Sequence, residues 1–160
     1  VTFIGWPPDE YYLIIEANGE GAAGTVDLQL MALGCVSDEN VGALTTTPAS
    51  VSVDTSGAPA LYAPGCTGMS GSERVIRFRV DSYNSTLIVD YRQTGDHVLG
   101  IFFDQGGECD EYQVTCHDPL GAAVGSFTAT RMNAGDYLLI VDAHDPGGEG
   151  AVNLSLSVAP

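Results

Sequence analysis

Residues 136–158 read DYLLIVDAHDPGGEGAVNLSLSV, and the fold follows from how this stretch is read. YLLIV (137–141) is an unbroken apolar run, the pattern of a strand in the middle of a sheet with both faces covered. AVNLSLSV (151–158) alternates apolar with polar residues, so one of its faces is buried and the other is wet. The glycines, proline and acidic residues between them are turn formers. Together they make a β-hairpin: a central strand, a glycine-rich turn and an amphipathic strand. The pattern occurs twice. Residues 10–32, EYYLIIEANGEGAAGTVDLQLMA, run in step with it without a gap at a constant offset of 126 residues. Tyr11 falls on Tyr137, Ile14 on Ile140, Gly24 on Gly150, Val26 on Val152, Leu28 on Leu154 and Leu30 on Leu156. The chain begins with a copy of its own ending.

Between the two copies the same period of two recurs. Strands are expected at 50–53, 74–80, 86–91, 98–103, 112–116 and 123–131, with VTFI (1–4) ahead of the first hairpin. Segments such as TSGAPALYAPGCTGMSGS and DQGGECDE separate them, and no stretch has helical periodicity. Many short strands punctuated by Gly, Pro, Asn and Asp predict an all-β, antiparallel sandwich or barrel. Residues 33–160 read as one complete domain ending in the hairpin. Residues 1–32 read as the same ending detached from a preceding one, or as a segment donated to a neighbour.

The chain has 160 residues and 44% hydrophobic content, enough for a buried core. No run approaches the ~18–20 apolar residues of a membrane span. A start at Val1 rather than Met reads as a mature or excised product. Asp and Glu number 21 against five arginines and no lysine, a net charge of −16. A phosphate backbone is repelled by such a surface, which excludes nucleic acid as a partner. The missing lysine excludes Schiff-base chemistry and a P-loop. The even count of cysteines (Cys35, Cys66, Cys109 and Cys116) predicts disulfides in an oxidising compartment, extracellular or at the cell surface. Of the three pairings, the short loop favours Cys109–Cys116, leaving Cys35–Cys66 to pin a longer one. No C-x-x-C spacing is present for a thiolate metal site.

Each histidine has an acidic neighbour: Asp96–His97, His117–Asp118 and His144–Asp145. Adjacent side chains of an extended segment point to opposite faces, so these make poor charge pairs. No G-x-S-x-G elbow is present, and the histidines read as loop residues that tolerate substitution. Calcium is the stronger chemical expectation, because hard cations collect carboxylate and loop-carbonyl oxygens. Asp96, Asp104, Asp118 and Asp142, with Asp110 and Asp145 nearby in sequence, fall at strand ends or turns where such ligands could converge. Trp6, Tyr11 and Tyr12 read first as packing residues and second as a sugar platform. Asn84 (NST) and Asn153 (NLS) match the glycosylation sequon, with Asn84 at an expected turn.

The segment from Gly65 to Val158 resembles the bacterial pre-peptidase C-terminal (PPC-like) β-sandwich domains. The resemblance is carried by GCTGMSGSERVIRFRV, GDHVLGIFF with Asp96 in the acidic position, CDEYQVTCHD, SFTATRMNAG and the closing GDYLLIVDA. His117, Pro119 and Ala143 depart from the family pattern, which has Asn, Asp and Gly there. The resemblance implies a jelly-roll-like sandwich without catalytic activity, of a kind appended to secreted proteases and often found in tandem.

A lone hairpin is not stable in water, and the apolar face formed by Tyr11, Leu13, Ile15, Val26, Leu28 and Leu30 needs a cover. Leaving four large side chains wet costs on the order of 6–12 kcal/mol. The cover is an upstream domain, this domain's own sandwich, or a neighbouring copy joined by strand addition, a heterologous contact that propagates. The first functional expectation is therefore a non-catalytic extracellular module that assembles end to end in a filament or appendage, with copies of itself or adjacent tandem domains as partners. The second is a calcium- or substrate-binding accessory domain of a secreted hydrolase.

Overall fold

The computed structural model describes Thr25 and residues 36–62, 64–66, 71–106, 109 and 112–160. The copied hairpin with its assembly face, Trp6, Cys35 and Asp110 lie outside the described residues. Nine strands follow in order: β1 (Glu39–Ala43), β2 (Ala49–Asp54), β3 (Glu73–Val80), β4 (Ser85–Gln93), β5 (His97–Phe103), β6 (Gln113–His117), β7 (Val124–Met132), β8 (Gly135–Ala143) and β9 (Ala151–Ala159). They form a five-stranded sheet ordered β1-β3-β8-β5-β6 and a four-stranded sheet ordered β2-β9-β4-β7. Every step along the chain crosses between sheets except β5 to β6, which gives the jelly-roll-like sandwich expected from the sequence.

The closing segment corrects the expected hairpin. β8 and β9 do not pair with each other, because the turn between them carries the chain from one sheet to the other, and each takes an inner position in its own sheet. β8 lies between β3 and β5, and β9 lies between β2 and β4. Tyr137, Leu139 and Val141 of β8 face the main core, where they meet Ile76, Phe78 and Ile101 of their own sheet and Leu87, Val89 and Leu154 of the other. Leu138 and Ile140 point the opposite way into a second apolar cluster with Val75, Phe102, Cys109 and Tyr62. A strand covered on both faces has no wet positions, which is why 137–141 is apolar throughout. β9 has one wet face, and its burial alternates accordingly. Since β8 and β9 of this domain already fill the central positions, neither sheet has a gap there for an equivalent hairpin from another copy.

β1 was not foreseen, and it pairs parallel to β3 in an otherwise antiparallel sandwich. ENVGA offers little alternation, and only Val41 packs against the core. Polar anchors hold the strand instead. The Asp38 carboxylate accepts from the Val75 amide at 2.7 Å and from Arg74 at 2.9 Å, while the Leu44 amide donates to the Arg79 carbonyl at 2.9 Å.

The disulfide pairing corrects the expected one. Cys66 is bonded to Cys116, with their Cα atoms 5.8 Å apart. Cys109 is disulfide-bonded as well, so neither Cys109–Cys116 nor Cys35–Cys66 forms. Loop length was the wrong guide because the decisive contacts are across the sheet. Residues 58–62 and 64–66 run over the outer face of the first sheet, where Tyr62 joins the second cluster and a Cβ on Gly100 would meet the Pro64 ring. The Gly65 amide donates to Gln113 Oε1 of β6 at 2.6 Å. Cys116 sits opposite Gly100, which brings it beside Cys66. Cys109 is buried in the second cluster. Replacing both Cys66 and Cys116 by Ala opens a link across a sequence separation of 50 residues and is expected to cost about 2–4 kcal/mol. Urea unfolding under non-reducing conditions measures this; an unchanged midpoint would show that residues 58–62 and 64–66 are held by their other contacts.

Candidate binding face

The outer face of the second sheet is built by alternation. β4 sends Leu87, Val89 and Tyr91 inward and turns Asp90 and Arg92 to solvent. β9 sends Val152, Leu154 and Leu156 inward, leaving Asn153 and Ser155 outside. Ser50 and Ser52 do the same on β2. Register then aligns these wet residues into two rows. Ser52 faces Asn153, Asn153 faces Arg92, and Arg92 faces Val124. In the second row Ser50 faces Ser155, Ser155 faces Asp90, and Asp90 faces Ser126. These rows line a shallow, open cleft of about 700 Å³.

The floor of the cleft is rigid because of what lies beneath it. Tyr91 is buried, with its ring tilted against His117 at a centroid distance of 5.6 Å. Gly125 lies opposite Tyr91 on β7, and a Cβ there would collide with the tyrosine hydroxyl. His117 stacks on Phe127 at 4.8 Å, tying β6 to β7 across the edges of the two sheets.

Charge is unevenly used. Arg74 pairs with Asp38, Arg77 with Asp104, and Arg79 with Asp81 and Asp136. All three arginines belong to β3. Among the described residues Arg92 forms no ion pair, and neither does Asp90. Such a guanidinium, near the end of an inner strand of an open sheet face, is a planar, five-donor group suited to a carboxylate or carbonyl ligand.

The candidate calcium ligands are spread over separate tasks. The Asp104 carboxylate accepts from Arg77 at 2.8 Å and from the Gly106 amide at 2.9 Å. Asp118 caps its turn through the Leu120 amide at 2.8 Å and lies 3.9 Å from His144 Nε2. Asp142 accepts from the Gly71 amide at 3.0 Å on the outer side of the first sheet. Asp96 stands before β5, with its backbone bonded to Gly148 and His144. Among the described residues no group of three or more His, Cys, Asp or Glu side chains is placed to hold a metal ion. Asn84 is exposed at the turn between β3 and β4, in the left-handed region at φ 57°, and Asn153 lies in the cleft.

The reading of the histidines as replaceable loop residues is corrected for His97 and His117, while His144 does lie in the bend after β8. His97 opens β5 and is fully buried, with Nε2 3.0 Å from Thr55 Oγ1, which also accepts from the Gly150 amide at 3.1 Å. Burial holds His97 below its ordinary value. His117 is a packing residue on β6 and is lowered for the same reason.

Two buried carboxylates went unrecognised as a pair. Glu73 and Asp142 are direct partners across β3 and β8. Glu73 accepts the Leu61 amide at 2.7 and 2.9 Å, while Asp142 holds Gly71, whose Cβ position is filled by Ala143. Burial pushes Glu73 up to about 7, against the pull of the Leu61 and Tyr62 amides. Burial raises Asp142 to about 6, against the Gly71 amide and His144.

No family model matches this chain, and no curated protein matches it. Solved structures do. The chain is similar to the pre-peptidase C-terminal domain of a collagenase from Bacillus anthracis, at 16% identity and a TM-score of 0.48, over 78% of this chain and 97% of that one. It is similar to the periplasmic inhibitor of g-type lysozyme from Aeromonas hydrophila at 11% identity and a TM-score of 0.45, over 76% and 99%. It is also similar to the C-terminal CBM6 domain of a laminarinase from Zobellia galactanivorans at 13% and 0.36, over 67% and 99%. The first of these is the domain type that the sequence motifs resemble. At such identities the likeness is one of fold.

The carboxylate pair gives a signed pH dependence. Both groups bind protons more tightly in the folded state than at their ordinary values of 4.5 and 3.8. Their stabilising contribution is therefore full below about pH 4 and is lost as pH rises through about 6 to 7. Glu73→Gln is expected to flatten the fall in melting temperature between pH 5 and pH 8. Parallel wild-type and variant profiles would show that Glu73 does not titrate in this window.

Proposed function

We infer that this chain is a non-catalytic binding module, working outside the cytoplasm, that holds a macromolecular ligand on the outer face of the β2-β9-β4-β7 sheet. The observation that carries this is Arg92, a guanidinium without an ion-pair partner among the described residues, set between Asn153 and Val124 in the cleft. In a chain of net charge −16, with the β3 arginines matched to carboxylates, an unmatched one is a feature with no internal structural use. The hydroxyls and amide of Ser50, Ser52, Ser155 and Asn153 surround it with short side chains that lose little entropy when a ligand orders them.

The histidines support binding over chemistry. His97 is sealed inside the sandwich and His117 is stacked between its edges. Attachment to a secreted hydrolase, as the sequence resemblance implies, gives such a face its use: it keeps the enzyme on its substrate. The disulfide fits an oxidising compartment. The end-to-end assembly reading rests on residues 1–32, which apart from Thr25 lie outside the described residues, and the filled centres of both sheets offer it no support.

Affinity electrophoresis through gels containing gelatin, xylan or laminarin tests the reading. Wild-type protein is expected to be retarded in at least one gel. Arg92→Ala is expected to abolish that retardation with an unchanged melting temperature. Arg131→Ala, which removes the other arginine without an ion pair from the far end of β7, is expected to leave it intact. Equal loss in the two variants, or free migration of the wild type in all three gels, would overturn the assignment.

A further inference from the structure

We propose that the ligand of this face is an extended polypeptide segment with an acidic and a basic side chain at alternate positions; the proposal rests on the binding-face reading above. The geometric basis is spacing. Asp90 and Arg92 project from the same side of one strand, two residues apart, so their Cα atoms are separated by ~6.6 Å along β4. That is the repeat of any extended chain laid along the strand, and alternate residues of such a chain come over Arg92 and Asp90 in turn. A carboxylate over Arg92 and a cation over Asp90 satisfy both charges at once.

Charge limits the choice further. The net charge of −16 repels a polyanion, so the partner carries an isolated carboxylate and not a run of them. Its neighbouring cation answers Asp90. The aromatic among the cleft-lining residues, Tyr91, is buried in the core beneath the sheet and offers no ring for a sugar to stack on.

The rim adds an apolar contact. Val124 flanks Arg92 and is 57% exposed. The loop leading into it turns through Pro119–Ala122, closed by the Ala122 amide on the Pro119 carbonyl at 3.1 Å. Both central residues have positive φ, 51° at Leu120 and 75° at Gly121. That conformation suits Asn-Gly and strains leucine. Leu120 is nevertheless 85% exposed, so its side chain is held in a strained turn without burying itself in the fold. Val124 supplies apolar surface at the Arg92 end of the cleft, which suits an aliphatic residue beside the acidic one in a polypeptide.

The test uses three synthetic peptides and isothermal titration on the whole chain. SVETKVS carries the alternating pair, while SVETEVS and SVKTKVS carry like charges. Wild-type protein is expected to bind SVETKVS at least tenfold more tightly than either control. Arg92→Glu is expected to reverse the order in favour of SVKTKVS, a gain that a misfolded variant could not show. Val124→Ser is expected to weaken SVETKVS several-fold while leaving its preference over the controls. Equal affinities of the wild type for all three peptides would overturn the proposal. Retardation by xylan or laminarin that depends on Arg92, without any peptide preference, would also overturn it while leaving the binding-face reading in place.

Discussion

The organisation of this domain depends on the burial of β8 on both faces. One side of the strand contributes Tyr137, Leu139 and Val141 to the core between the sheets. The other contributes Leu138 and Ile140, which in a two-layer sandwich would face water. Covering them requires a third layer, and residues 58–62 and 64–66 with Cys109 provide it. Each large apolar side chain buried in this way is worth about 1.5–3 kcal/mol, less the cost of ordering the loop. The Cys66–Cys116 bond restricts where that loop can go. The Glu73 and Asp142 carboxylates hold its backbone amides. With the first sheet covered in this way, the outward face of the second sheet is the broad surface left to present a row of polar side chains.

The distribution of cations follows the same division. Arg74, Arg77 and Arg79 lie on β3 and fasten β1 and neighbouring loops to the covered sheet through Asp38, Asp104, Asp81 and Asp136. These pairs are partly exposed, and each is worth little alone. Their importance here lies in leaving Arg92 as the cation of the open face. The three β3 guanidinium groups are matched to carboxylates, while among the described residues Arg92 and Arg131 form no ion pair. Arg92 is flanked by Asn153 and Val124, and Asp90 sits in the next row.

Most of the fold was legible because period two survives in the sequence wherever one sheet face is wet. SVSV, TLIVDY and AVNLSLSV became β2, β4 and β9 within a residue or two of their expected limits. The apolar run 137–141 marked the centre of a sheet, and β8 is there. β1 was illegible because Asp38 and backbone hydrogen bonds, not hydrophobic alternation, hold ENVGA in place. The cysteine pairing was misread because proximity across β5 and β6 cannot be counted along the chain. The binding face was hidden for a different reason. Attention to acidic turn residues pointed towards cations, while the useful signal was a charged pair, Asp90 and Arg92, on the wet side of β4 beside the serines of β2 and β9. Wet positions of a strand are usually read as filler, and here they form the proposed site.

The central placement of β8 and β9 also has a consequence in time. These strands are the last of the nine to be synthesised, yet each separates two strands that precede it in the chain. Until β8 has emerged β3 has no route to β5, and until β9 has emerged β2 has no route to β4. A nascent chain that stops short of β8 therefore possesses seven strands and the centre of neither sheet. Completion of either sheet waits for β8 and β9 and then proceeds from contacts distant in sequence, a slow step for a sandwich. A polypeptide that must be threaded unfolded through a membrane pore gains from this order of events, because neither sheet can be completed before the rest has followed.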